Sequence, residues 1–203
     1  MKNLLNPLMF YNLHESMKRL LLLTLALVAF CGVQAQQPVF FYGVDFMHCK
    51  VFSSHETPAA FADAFHAIND VLYNEADKYD FSRLLGRRYE YHTEVIHDCL
   101  QQCDFSNLTA RSPYVEALDI ESIVRNYNLP QTEGKGFVLI AKLLNKAAES
   151  GTYYLVYFDV ASRQILYQFE ATTEAGGFGL RNYWANTIHQ ICKKPRYRIP
   201  ANL

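Results

Sequence analysis

The chain has no surplus of charge of either sign: 19 Lys+Arg stand against 20 Asp+Glu, a net charge of −1. A general nucleic-acid binder carries a basic stripe, so no nucleic acid is expected as a partner. No apolar run reaches the roughly 20 residues that a membrane-spanning helix needs, and no transmembrane span is expected. Two signatures of an activated serine, Gly-x-Ser-x-Gly and Ser-x-x-Lys, are missing. So are a Walker lysine and the glycine spacing of a dinucleotide fold, and the expected cofactor list is empty. Internal repeats and low-complexity linkers are absent, which leaves no domain boundary beyond the N-terminal stretch.

That stretch is the one strongly patterned exception. Met17-Lys18-Arg19, the apolar run Leu20 to Phe30 and then Val33-Gln34-Ala35 follow the order of an export signal: charged start, hydrophobic centre, small-residue cleavage site. Residues 1–35 are read as the signal region, with Met17 as the better start and cleavage after Ala35. The remaining single domain, residues 36–203, is expected to be periplasmic or secreted. Lipid anchoring at Cys31 is the rival reading, and the bulky Phe30 before it argues against acylation. The leader carries Lys2, Lys18 and Arg19 against Glu15 alone, so the remainder is mildly acidic. Its one basic cluster is Lys193, Lys194, Arg196 and Arg198, read as a solvated end balancing a last helix. The sharper reading of that cluster is contact with anionic lipid or glycan.

Four cysteines follow the leader: Cys49, Cys99, Cys103 and Cys192. An exported protein is allowed disulfides, and four cysteines permit three complete pairings. Cys99 and Cys103 sit four apart on one helix, an awkward geometry for a direct bridge. A bond from either to Cys49 or Cys192 is one reading, and buried thiols behaving as small apolar residues are the other.

Hydrophobic periodicity predicts a mixed α+β fold. Val39 to Phe46 is β-branched and aromatic, a buried strand that Cys49 to Phe52 extends. Thr57-Pro58 caps and opens a helix, with Phe61, Ala64, Phe65, Ile68, Val71 and Leu72 on its apolar face. Asp80 caps a short helix holding Leu84 and Leu85, and Arg88 to Tyr91 suits a strand. Thr93 caps a helix with Val95, Ile96, Cys99, Leu100 and Cys103 as its stripe. A loop is expected over 104–113, then a helix marked by Ile120, Ile123, Val124 and Tyr127 and stopped by Pro130. Gly136 to Leu144, Thr152 to Phe158 and Gln164 to Thr172 read as a three-stranded antiparallel meander. A closing helix carries Ile188, Ile191 and Cys192. The expected architecture is that meander plus the N-terminal strands in one sheet, packed by several helices.

The strongest local oddity is Gly176-Gly177-Phe178-Gly179-Leu180-Arg181-Asn182-Tyr183-Trp184. Glycines just before a helix can aim backbone N–H groups at an anion, and Arg181 adds a charged fork. The ordinary reading is that the glycines supply positive φ while Tyr183 and Trp184 pack inward. Arg181, Asn182 and Tyr183 are the candidate ligand-binding residues. His92, Glu94, His97, Cys99 and Cys103 are metal-ligand types, but their spacing matches no established pattern and no metal is expected. His66 and His189 are read as ordinary helix residues. Asp45 ends a strand, where catalytic carboxylates often sit, with Asp159 or Glu170 as conceivable partners.

The leading Gly43-Val44-Asp45-Phe46 strand, the helix after it, and a meander whose turn is Phe158-Asp159-Val160-Ala161-Ser162-Arg163 before a closing helix resemble the envelope α/β domains related to the TolB amino-terminal domain and the curli-secretion lipoprotein CsgG. The block from Gly134 to Lys193 also resembles secreted bacterial proteins that carry Ala-Gly-Gly-Phe-Gly-x-Arg-Asn-Tyr-Trp. Neither resemblance implies a catalytic residue. The expectation is an exported, non-catalytic module of the cell envelope that binds a protein or glycan partner. The alternatives are a secreted hydrolase with an unfamiliar carboxylate or histidine site, and a self-associating structural envelope protein.

Overall fold

The structure is a computed structural model and describes Lys18, residues 38–200 and Leu203. The export leader, its start at Met17, the cleavage point and Cys31 lie outside the described residues. The chain divides between residues 36 and 37, and the fold described below belongs to the second unit.

β5 (Lys135–Asn145) is the spine of a seven-stranded sheet. β6 (Ser150–Asp159) pairs antiparallel along its whole length, from Lys135↔Asp159 to Asn145↔Ser150. β7 (Ile165–Glu174) continues the meander on the far side of β6. The other edge of β5 is shared by two parallel strands. β1 (Val39–Asp45) takes the stretch Lys135 to Ile140, and β2 (Lys50–Phe52) takes Leu143 to Asn145. β1 and β2 are therefore two segments of one line, broken at Phe46–Cys49. Two short strands lie outside that line, both parallel: β3 (Glu90–Tyr91) on β1 and β4 (Thr109–Ala110) on β2.

The expected meander with N-terminal strands in one sheet, packed by helices, is the observed architecture. Two local expectations change. The segment 104–113 is not wholly loop, because Thr109–Ala110 pairs with Val51–Phe52. Thr93 precedes a helix but its side chain makes no capping bond.

α1 (Pro58–Asn74) begins as its sequence dictates: the Thr57 hydroxyl accepts the Ala60 N–H at 3.2 Å and Pro58 opens the first turn. Phe61, Phe65, Ile68 and Leu72 are buried on one face, and Phe65 stacks on Phe46 with ring centroids 4.1 Å apart. Truncating one such ring to alanine costs about 3–5 kcal/mol. α2 (Ser82–Leu85) is started by Asp80, whose carboxylate accepts both the backbone N–H and the hydroxyl of Ser82 at 2.8 Å. α3 (Glu94–Gln101) and α4 (Ile120–Arg125) follow, and α5 (Leu180–Lys193) closes the fold over β6 and β7. A buried hydroxyl network fixes α5: Tyr153 Oη lies 2.7 Å from Thr187 Oγ1, and Thr173 Oγ1 donates to the Thr187 carbonyl at 2.7 Å. No helix among the described residues is long and apolar enough to cross a membrane.

Two glycines make the sheet possible. Gly136 on β5 faces the buried Phe158 on β6, and a Cβ there would overlap the Phe158 Cζ. Gly43 sits at φ +97° in a bulge where β1 spends one more residue than β5 between Phe41 and Val44. A Cβ on Gly43 would lie 2.5 Å from Asn69 Oδ1. The bulge has a directional consequence. Side chains alternate along a strand, so Phe41 and Asp45 would share a face. The extra residue sends Asp45 to the opposite one.

Candidate functional site

Two places deserve chemical scrutiny: the break between β1 and β2, and the end of the sheet where α5 starts.

At the Gly43 bulge just before the break, the buried amide of Asn69 takes up backbone groups of β1. It accepts the Val44 N–H at 2.8 Å and donates to the Val44 and Phe65 carbonyls at 3.0 and 3.3 Å. Asp45, completely buried, follows. One carboxyl oxygen accepts the Met47 N–H at 2.7 Å and the other accepts the Tyr127 hydroxyl at 2.6 Å. Burial raises the Asp45 carboxyl above its ordinary range, and these two donors oppose that without reversing it. Asp159 and Glu170 do not join it. Asp159 holds Lys135 at 3.1 Å and the Ser162 turn, which lower its carboxyl to about 2, and Glu170 holds Lys142 at 2.7 Å.

The cysteines are free thiols, Cys49 and Cys192 buried, Cys99 and Cys103 half-buried. Burial, and next the Asp45 carboxyl, push the Cys99 and Cys103 thiols up. Reactive cysteines need the opposite shift. The other expected metal-type residues point apart. His92 Nδ1 lies 2.9 Å from Glu94 Oε1 and 2.8 Å from Gln131 Nε2, whereas His97 faces His66 on α1 and Cys103 faces the Met47 carbonyl. Among the described residues no group of three or more His, Cys, Asp or Glu gathers to hold a metal.

The second place is open. Three segments meet there: the turn after β2, the β5–β6 hairpin and the glycine turn before α5. The Lys146 N–H donates to the Phe52 carbonyl at 2.9 Å and the Ala175 N–H to the Glu149 carbonyl at 2.7 Å, which stitches the three together. Between them lies a cavity of about 300 Å³ lined by Ser54, His55, Glu56, Lys146, Gly177, Gly179, Leu180, Tyr183 and Trp184. The Lys146 ammonium sits over the Tyr183 ring, 3.5 Å from its centroid, and the Tyr183 hydroxyl donates to Glu149 at 3.4 Å. A cation placed this way on an aromatic face gains about 0.5–1 kcal/mol at an exposed site. Gly177 and Gly179 have φ of +109° and +80°, the conformations expected of the glycine turn. Gly179 caps α5 without a side-chain bond.

The three candidate residues part company here. Tyr183 lines the cavity and is half-buried. Arg181 and Asn182 are exposed and do not line it; the Arg181 Nε donates to Asn182 Oδ1 at 3.0 Å and Asn182 Nδ2 donates to the Phe178 carbonyl at 3.1 Å. Trp184 is 1% exposed, and its Nε1 has no hydrogen-bond partner among the described residues. Phe178, at the tip of the turn, is 94% exposed. Sequence reasoning missed Ser54, His55, Glu56 and Lys146, because only the fold brings their turns beside the glycines. It also missed Asn69, although a single amide within an apolar helical stripe is a visible signal.

No family model matches the chain, and no curated protein matches it either.

Proposed function

We propose that the chain is an exported, non-catalytic module of the cell envelope that binds a protein or glycan partner through the cleft beside Tyr183. One observation carries this reading: among the described residues, two of the three non-glycine residues with positive φ, Ser53 at 61° and Glu149 at 48°, adjoin this cavity, Ser53 beside the lining Ser54 and Glu149 through its bond to the lining Tyr183. Such conformations cost about 1–3 kcal/mol each and persist where the surroundings over-determine them, commonly at binding sites. The exposed Phe178 and the Lys146–Tyr183 pair provide apolar, aromatic and charged contacts at one rim, the composition of a recognition surface. The export signal and the resemblance to envelope α/β domains support the location.

A hydrolase would need Asp45 or a histidine aimed into a cleft beside a second titratable group. Both Asp45 oxygens are occupied by the chain itself, which weighs against Asp45 in that role, whereas His55 and Glu56 line the cleft and keep the histidine form of that alternative in play. Self-association has one observation in its favour. The outer edge of β7 pairs with no strand among the described residues, and such an edge can template a second copy. Light scattering would show a concentration-dependent dimer under that reading and a monomer otherwise.

The cleft is tested by immobilising the secreted form and exposing it to envelope extract and to purified peptidoglycan. Tyr183→Ala and Arg181→Ala serve as comparisons. Capture that falls at least tenfold with Tyr183→Ala, and less with Arg181→Ala, supports the reading. Equal capture by all three folded proteins removes the cleft from consideration.

A further inference from the structure

His66 and His97 lie far apart in sequence, yet α1 and α3 bring their Nδ1 atoms to 3.3 Å, with ring centroids 4.6 Å apart and planes at 69°. Their separation is set by packing, because each helix is anchored independently: α1 through Phe61, Phe65 and Ile68, α3 through Val95, Ile96 and Leu100. Two ring nitrogens this close are either joined by one N–H···N bond or arranged to share an ion. Ligand nitrogens about 2.0–2.1 Å from a tetrahedral ion stand about 3.3–3.4 Å from each other. The observed spacing is already that of a pair of metal ligands.

Two surroundings favour the ion. Both rings are only half-buried, which leaves room for water in the remaining positions. Asp63 and Asp70 stand three residues before and four after His66 on α1, spacings that place two exposed carboxylates on the same helix face as its ring.

We propose that His66 and His97 form a two-imidazole site for a late first-row divalent cation such as zinc, nickel or copper, completed by water. These are the ions that imidazole suits. With no third side chain gathered among the described residues, the site is open and exchangeable and is not a structural zinc centre.

The test is calorimetric titration of the untagged full-length chain with nickel chloride and with zinc chloride. The expected result is one ion per chain, with affinity reduced at least tenfold by His66→Gln and equally by His97→Gln. The double variant should bind no more tightly than either single one. The histidine ring-proton resonances of both residues should broaden or shift together on adding zinc. A Cys99→Ser, Cys103→Ser protein should bind as the parent does. No stoichiometric binding, or binding that survives both histidine variants while circular dichroism shows them folded, would overturn the assignment.

Discussion

Two of the places where the backbone leaves regular geometry contrast, because one is filled and the other is not. Around the Gly43 bulge and the break between β1 and β2, backbone groups are met from within: Asn69 serves Val44, Asp45 serves Met47, the Cys49 N–H bonds the Phe46 carbonyl, and Tyr127 holds Asp45. At the other end, the turn after β2, the β5–β6 hairpin and the glycine turn come together around a cavity of about 300 Å³ that no side chain fills. A break completed from within is an internal joint, since a buried polar group without a partner is costly. A break left open presents its groups outward. On the proposed function, that difference gives stability to the first place and recognition to the second.

The comparison can be broken by substitutions that mix the two roles. The largest effect is expected from Asn69→Ala, which strips the Val44 N–H and carbonyl of their partner in a buried setting. It should lower the unfolding free energy by about 2–4 kcal/mol, read by urea denaturation, with any partner captured normally at temperatures where the protein is folded. A loss under about 1 kcal/mol would mean that water or a shifted backbone replaces the amide.

Tyr127→Phe comes next. It removes the donor to Asp45 and should cost about 1–3 kcal/mol. Asp45 itself gives a pH signature. Its folded-state carboxyl is held above the ordinary range by burial, whereas the unfolded chain releases that proton near pH 4. The folded state therefore binds more protons above that point. The contribution is fully present below about pH 4 and is lost as pH rises through the raised value. Asp45→Asn should flatten this decline in urea midpoints measured from pH 4 to pH 8. An unchanged slope would assign the pH dependence to other groups.

The smallest stability effect belongs to the open end. Phe178→Ala removes an exposed ring and should change the unfolding free energy by no more than about 0.5 kcal/mol, while weakening capture of the partner. A loss as large as that of Asn69→Ala would make the glycine turn a structural joint like the first.

Much of this was legible in the residues. Thr57-Pro58 announced α1, Pro130 stopped the chain after α4, and the alternation from Ile165 to Phe169 marked a half-covered strand. Local signals of this kind need only a few neighbours to act. What was not legible depends on partners remote in sequence. The parallel placement of β1 and β2 along one edge of β5 follows from β6 occupying the other edge. The face to which Asp45 points turns on a single extra residue at Gly43, which alternation alone cannot count. Of the site, Tyr183 and the glycines stood out by composition. Lys146, Ser54 and His55 did not, because an ordinary hairpin and an ordinary turn acquire meaning only when the Phe52 and Glu149 carbonyls tie them to the same corner. His66 and His97 were visible singly, each on its own helix, and their meeting is a fact of packing.

The most direct test of the division between closed and open breaks is a paired measurement on Tyr183→Ala: unfolding free energy beside binding to the component captured from the envelope. The expected stability loss is no more than about 1–2 kcal/mol for a half-buried aromatic, with binding reduced at least tenfold. Undiminished binding by the folded variant would contradict it.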